Sequence, residues 1–558
     1  MRRFRKMPLP FSKYPGQRDR GQITVFLSLV FLVMTGLIFC VLEGIREYEI
    51  SALAEDAMEG AGKEVLANYD RALFLRYELF FLDPREKTRI VEDGKDYINR
   101  YFTEGEFFGM NCKTIRLDHC VSVTDQSAAP LREEIREWVR IRDKMSKEDS
   151  TGPEESGYHA DRMRRINKAF SQRYSEISQY ISGLHEVSGA EILERQEMPV
   201  SPDSAESEDI IPPIITGIRE VNAWKEIRDT LEGINIEESL YTMAAAGADI
   251  SGLMMDTSQC PSGNISRRSA SGDEEPLESL RCDSIRSLTD YFPSAQVREF
   301  QDTDQEVLGL MTYINNHFYR YGIEDSRKKP DSDRKKRHSG SVQTNETVLH
   351  YEEEYLVNGQ PDDESNLKCI MRRIFRWRFL MNYDYACSAD AVTKKAERIA
   401  ESLAGQEGFY SNEKAGRIFL AGAAAYGQTL TDMSILLKGG SVPLIPNHGS
   451  WQADLYHFSE CMEHFGEKRV EGGEMFYEDY LNLFLYEKGR EPLILFRMMD
   501  IMQSNVRLSE QDFVMKEALY SFRWKGVISS RKWFPSIAGF RLNSPDTARL
   551  AFQKVYSY

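Results

Sequence analysis

Apolar residues fall along this chain in distinct regimes. From Ile23 to Leu42 the sequence ITVFLSLVFLVMTGLIFCVL runs twenty residues without a charge. At the helical rise such a run spans about 30 Å, the thickness of a bilayer hydrocarbon core, and it is apolar all round where a soluble helix would show a polar face. Between residues 43 and 82 there is no proline, and Ile50, Leu53, Ala57, Leu66, Leu73 and Leu75 recur at loosely helical spacing. The spacing predicts that the membrane helix continues outward until Asp83-Pro84 stops it. Thr114–Val123 then alternates apolar and polar positions as a strand does, and a helix is expected from about Leu131 to Met145.

The middle of the chain is punctuated by polar stretches. Ser146–Tyr158 and Glu194–Glu208 read as linkers, and Ser258–Ser284 and Asp325–Thr347 as polar insertions. Between the linkers Met163, Ile166, Phe170, Tyr174, Ile177, Ile181 and Leu184 step by threes and fours. Over about three heptads that stripe predicts an ordinary packed helix before a coiled coil. Pro212-Pro213 introduces a further helix running to about Leu231. From Leu349 to the end the chain is dense in apolar and aromatic residues, with helical patterns at Ser365–Tyr383, Ala389–Leu403, Arg417–Leu437, Gln452–His464, Tyr477–Tyr486 and Leu493–Val506. Ala518–Ile528 is rich in β-formers and reads as terminal strand. The expected fold class is mainly α with minor β. The expected parts are a basic tail (1–20), a transmembrane helix (21–42), a long helix with a small α+β region (43–145), helical segments with polar linkers (146–348), and a mainly helical C-terminal domain (349–558).

Charge sets the topology. Residues 1–20 hold seven basic side chains against Asp19, a local +6 that leaves −23 for the rest of a chain whose formal net charge is −17. Positive charge ahead of the apolar run, with Glu43, Arg46, Glu47 and Glu49 behind it, predicts a cytoplasmic N-terminus and an extracytoplasmic body held at the cell membrane. A cleaved secretory signal is the competing reading, with Ala52-Leu53-Ala54 as the small-x-small site. That triplet lies about ten residues beyond an apolar run already longer than the usual signal core, which favours a retained anchor. So acidic a body argues against a nucleic-acid partner, because phosphates would be repelled. The basic run around Arg327-Lys328-Lys329 reads as a solvated loop.

Candidate chemistry is sparse. There is no glycine-rich phosphate loop, no G-x-S-x-G and no H-E-x-x-H. His457, Cys461 and His464 would share one helical face and offer three zinc ligands, yet no second cluster completes them, so no metal and no cofactor is expected. Eight cysteines are too thinly spread for a disulfide framework, although Cys112 with Cys120 and Cys260 with Cys282 are spaced to close local loops. In Tyr351-Glu-Glu-Glu-Tyr355, Glu352 and Glu354 share a face if the segment is a strand. Such carboxylates do acid–base work or hold cations in some proteins. The expectation is a solvated element start, or an ion network with Arg372, Arg373, Arg376 and Arg378.

Three stretches carry a family resemblance: Gly21-Gln-Ile-Thr-Val-Phe-Leu-Ser-Leu through Glu43-Gly44-Ile45-Arg46 with Tyr77–Asp83; Tyr351–Gly359 with Asp362, Asn366-Leu367 and Arg378; and Gly439–Leu444 with Tyr480-Leu481, Arg497–Asp500 and Asn505. In order and together they resemble an uncharacterised domain-of-unknown-function family of Gram-positive bacteria found among tight-adherence (Tad) pilus genes. The opening also resembles TadE-like pseudopilins, in which a glycine precedes an apolar helix bearing glutamate at the fifth position after it. Gly21 is in place as a processing site, but Phe26 stands where that glutamate would be, which departs from the polymerising pattern. The resemblance implies a non-catalytic, membrane-held component of a pilus or secretion apparatus. Its partners would be lipid and other apparatus subunits, with contacts through Gly36, Glu43 and Arg46. The alternatives are an extracytoplasmic ligand-binding or sensing domain, which needs a pocket within 349–530, and a tethered hydrolase using His457, Cys461, His464 or Glu352 and Glu354.

Overall fold

The computed structural model describes residues 18–83, 87–104, 108–148, 217–233, 236–247, 254–263, 305–321, 347–404, 409–410, 412–463, 473–489, 491–531 and 547–558, with short pieces within 162–173 and single positions at 280, 282 and 288. In chain order the elements used below are α1 (Arg18–Leu66), α2 (Arg71–Tyr77), α3 (Lys87–Glu104), β1 (Asn111–Ser122), α4 (Asp125–Glu148), α5 (Ile218–Gly233), α6 (Ile236–Gly247) and α7 (Gln305–His317). They continue with α8 (Glu352–Asn358), α9 (Asp363–Ser388), α10 (Asp390–Leu403), α11 (Glu413–Leu437), α12 (Phe458–Glu463), α13 (Tyr477–Lys488), α14 (Pro492–Arg507), β2 (Leu519–Arg531) and β3 (Thr547–Ser557). The protein is mainly helical with one small antiparallel sheet, as the patterning predicts. Two compact units divide it: residues 1–70, 80–122 and 517–558 form the first, and 71–79 with 123–516 the second.

In the first unit α1 is one helix with two surfaces. Phe31 and Leu32 in its apolar run are 74% and 71% exposed, whereas Ile50, Ala54, Ala57, Met58, Ala61 and Val65 form a buried stripe. The helix ends at Leu66, not at Asp83. Beyond it come α2 and then strand-like backbone, where Leu82 bridges both Tyr69 and Leu519 and Phe81 and Leu82 are buried. The sheet has the order β1-β2-β3 with both pairs antiparallel. β2 and β3 run in unbroken register from Ser521↔Ser557 to Arg531↔Thr547, while β1 carries irregularities at Cys112/Thr114, Leu117/His119 and Val121/Ser122. Small residues let the helices approach large rings on the sheet. A Cβ at Gly62 would lie 2.1 Å from the Tyr556 ring, and one at Gly94 would lie 2.3 Å from the Trp524 indole. Trp524, Phe522, Ile528 and Tyr556 complete this core with the α1 stripe and Ile98 and Phe102 of α3.

The second unit is helical. Predicted boundaries hold within a few residues for α9, α10, α11, α13 and α14. Asp362 caps α9 by accepting the Ser365 N–H at 2.7 Å, Asn412 caps α11 at Lys414 (2.9 Å), and Pro492 opens α14 where its missing N–H is not needed. Along α11 the run Phe419–Leu437 is buried throughout, and its small residues Ala421–Ala425 let α9 and α10 pack closely. α4 turns left-handed at Gln126–Ala128, and the regular helix begins around Pro130, close to the expected Leu131. α12 is shorter than the predicted Gln452–His464. Of the stripe from Met163 to Leu184, Met163 and Ile166 are buried and the other five positions lie outside the described residues.

Candidate functional site

The segment expected to be solvated is the most deeply buried charged run in the second unit. Glu352, Glu353 and Glu354 are 1%, 1% and 0% exposed in α8. Glu352 accepts the Tyr319 N–H at 3.0 Å and the Asn505 side-chain amide at 2.6 Å. Glu353 accepts from the Arg320 guanidinium at 3.2 Å, and Arg320 also holds Glu478 at 2.5 Å. Glu354 accepts the Tyr321 N–H at 3.0 Å and the Tyr477 hydroxyl at 2.9 Å. The chain just after α7 thus lies along α8 and supplies two backbone donors and a cation. Two of the four predicted arginine partners are engaged elsewhere: Arg378 with Asp432 and Arg373 with Glu487.

Burial disfavours the charged carboxylate and pushes Glu352 and Glu353 up to about 7 and Glu354 up to about 8, with the neighbouring Glu353 charge adding to the rise at Glu354. Oε2 of Glu353 and Oε2 of Glu354 accept no hydrogen bond among the described residues, which suits a protonated oxygen better than an ionised one. Tyr355 donates to Asp500 at 2.8 Å, Asp500 also accepts the Ser262 N–H at 2.9 Å, and burial raises Asp500 to about 6. At the other end of α8 Arg497 spans the terminal carbonyls of Leu356, Val357 and Asn358. A cation there answers acceptors that the helix itself leaves unpaired. Gly359, at φ 75°, gives Arg497 room: a Cβ would sit 2.6 Å from its Nε.

A second polar knot ties α9 to α11. Arg378 donates to one Asp432 oxygen at 2.6 and 3.0 Å, and to the Pro443 carbonyl at 2.8 Å. Asn382 reaches the same Asp432 oxygen at 2.9 Å, and Gln428 reaches the other at 3.0 Å. Gln428 also accepts the Gln452 N–H at 2.7 Å. These bonds fix the chain from Pro443 to Ala453, one wall of an open cleft of about 530 Å³ whose lining includes Arg173, Asp384, Tyr385, Asp390, Ile445 and His448. Arg173 and Asp384 pair at 3.4 Å across this lining, and Asp390 adds a second carboxylate to a mostly apolar wall.

The residues singled out from sequence fall in three places. His457 is turned to water, with 63% of its side chain exposed and Glu460 at 4.0 Å, while the Cys461 thiol points inward onto the Gln452 carbonyl at 3.4 Å; His464 lies outside the described residues. Glu352 and Glu354 are closed off from solvent. Gly21 lies within α1, and nothing approaches within 4 Å of the Cβ position of Gly36. Glu43 and Arg46 pair at 2.8 Å, and Arg46 donates onward to the Arg531 carbonyl at 2.9 Å and the Ser530 hydroxyl at 3.4 Å. Cys112 and Cys120 stand on one strand, about 26 Å apart at the strand rise, beyond the reach of a disulfide. Cys260 donates to the Asp256 carbonyl at 3.3 Å. Sequence reasoning missed Arg320 and Asp432, and it marked Asp500 only within the stretch that carries the family resemblance. The signal available was a lone charge inside an apolar helical run, as in Met499-Asp500-Ile501.

Together these features define a mainly helical protein with charged residues sewn into its helical core and one long apolar N-terminal helix, consistent with a single membrane span or a signal sequence. Residues 222–530, more than half of the chain, match the family of unknown function DUF5702, and the chain belongs to that family. The match opens within α5 and closes in β2, and it contains both polar networks. No curated protein and no solved structure matches the chain.

Proposed function

We propose that this protein is a membrane-anchored, extracytoplasmic assembly component of a Tad-like pilus or secretion apparatus, without catalysis of its own. The observation that carries the reading is α1: twenty residues of unburied apolar surface run without a break into a stripe that forms one wall of the first unit's core. Such a helix transmits position from the lipid to the folded body. Retention of the anchor is supported by the same stripe. Ala54 is fully buried, so a cut after Ala54 would remove Arg46, Ile50 and Ala54 from that core. The charged networks of the second unit hold helices and loops in register, which favours a structural role.

Two experiments test the reading. Protease added to intact protoplasts should digest the C-terminal portion; full protection would refute the topology. Pull-down from solubilised membranes should recover pilus ATPase, platform or pilin subunits, and a lone monomer counts against the assembly role. The cleft beside Arg173 and His448 favours a second reading, an extracytoplasmic binding or sensing domain. A tethered hydrolase gains nothing from carboxylates sealed in the core.

A further inference from the structure

Arg46 stands four residues beyond Leu42, about 6 Å along the helix axis. Its guanidinium is 1% exposed and is fastened to the last residues of β2, the Arg531 carbonyl and the Ser530 hydroxyl. Arg531 pairs with Thr547 at the start of β3, and Asn111 at the start of β1 pairs with Ser529. One end of the whole sheet is therefore pinned to the anchor helix at that height. The lipid headgroup zone is about 5–7 Å deep on each side of the hydrocarbon core. The opposite direction along the sheet leads away from it. Tyr556 donates to the Met58 carbonyl at 3.0 Å, and Met58 lies about 24 Å beyond Leu42 along the axis.

The pinned end carries Lys113, Arg531 and Arg549, all exposed, whereas further up the strands Arg523 and Lys525 pair with Asp118, Lys554 pairs with Glu59, and Arg116 is exposed. Of the acids on α1 at this height, Glu43 is paired with Arg46, while Glu47 and Glu49 are exposed. Long basic side chains reach down to phosphates while their stems stay on the protein, and anionic headgroups attract them. From this geometry we propose that the Arg531–Thr547 end of the sheet rests on the outer membrane surface, with Lys113, Arg531 and Arg549 contacting anionic phospholipid headgroups. The inference rests on the membrane-spanning reading of Ile23–Leu42. It makes the sheet a footplate that fixes the tilt of the first unit against the bilayer.

The test uses the full chain in nanodiscs containing phosphatidylglycerol, with the photocrosslinker p-benzoylphenylalanine placed singly. Positions Asn111 and Thr547 probe the pinned end, His119 and Val555 probe the sheet further up, and Phe31 probes the span. Mass spectrometry should find lipid adducts at Phe31, Asn111 and Thr547, and yields at least fivefold lower at His119 and Val555. Adducts at Phe31 without adducts at Asn111 or Thr547, or equal yields at all four sheet positions, overturn the footplate while leaving the span standing. No adduct at Phe31 overturns the span itself. Replacing phosphatidylglycerol by phosphatidylcholine, or combining Lys113→Glu with Arg549→Glu, should lower the Thr547 yield severalfold. An unchanged yield in both overturns the assignment to anionic headgroups.

Discussion

The two units bury different kinds of matter. The first is held by rings against small residues: Trp524, Phe522 and Tyr556 lie on Gly62, Gly94 and the alanines of α1, and Arg46 is the charged residue of α1 that the core seals in. The second seals Glu352, Glu353, Glu354, Arg378, Asp432, Arg497 and Asp500 among its helices. Apolar packing is forgiving of sequence order and unforgiving of volume. Buried charge behaves in the opposite way, because swapping a matched pair for apolar residues is tolerated while removing one partner is not. Variants that break either rule in the wrong unit would erase the contrast.

The largest effect is expected at Arg378. Arg378→Met leaves Asp432 charged and buried without its cation, a loss of about 3–5 kcal/mol. Arg378→Met with Asp432→Leu should recover most of it. Hydrogen exchange of α9 and α11 in the full chain measures both, and a double variant as weak as the single one would show that the pair stabilises in its own right. The counterpart in the first unit is Trp524→Ala, expected to cost about 3–5 kcal/mol through the cavity it leaves. Exchange along β1 and β3 reads it. An effect below 1 kcal/mol would mean the sheet is held by something other than ring packing.

The acidic helix gives the contrast a pH signature. Burial raises Glu352, Glu353 and Glu354 above the ordinary carboxyl value, to about 7, 7 and 8, so the folded state holds protons that the unfolded chain releases. The contribution is fully present below about pH 4.5 and declines as pH climbs through about 8, since stability falls wherever the folded state binds more protons. Unfolding of α8 and its neighbours should therefore become easier from pH 5.5 to 8.5. Glu354→Gln keeps the shape and removes the titration, so it should flatten the slope and raise stability at pH 8.5 by on the order of a few kcal/mol. A slope unchanged in the variant assigns the pH dependence to other groups.

What could be read from the sequence follows the same division. Periodicity located α9, α10, α11, α13 and α14, because an apolar face at helical spacing is written locally. It failed where distant residues decide. α1 stops at Leu66, Leu82 pairs with Leu519 more than four hundred positions away, and β2 belongs with β1 and β3 in the first unit, not with the helices it follows in the chain. Tyr351–Tyr355 was misread because three consecutive glutamates ordinarily face water. Their burial depends on Arg320, Tyr321, Tyr477 and Asn505, none of which is marked by spacing. The β-former pattern marks Ala518–Ile528 alone, and Thr547–Ser557 is a strand through its pairing with β2.

Arg46 is where the two kinds of core meet within one helix, and it gives the smallest and most diagnostic prediction. Arg46→Gln keeps a donor but loses the charge and part of the reach to Arg531 and Ser530, for an expected loss of about 1–3 kcal/mol in the first unit. Glu43→Gln touches a half-buried group at the helix edge and should cost no more than about 1 kcal/mol. If both losses were equal, the Glu43–Arg46 pair would be the stabilising element. If Arg46→Gln alone frees the β2–β3 end to exchange, the guanidinium acts by holding the strand end to the helix. That outcome would place the mechanical link between the apolar N-terminal run and the fold in the hydrogen bonds of one buried side chain.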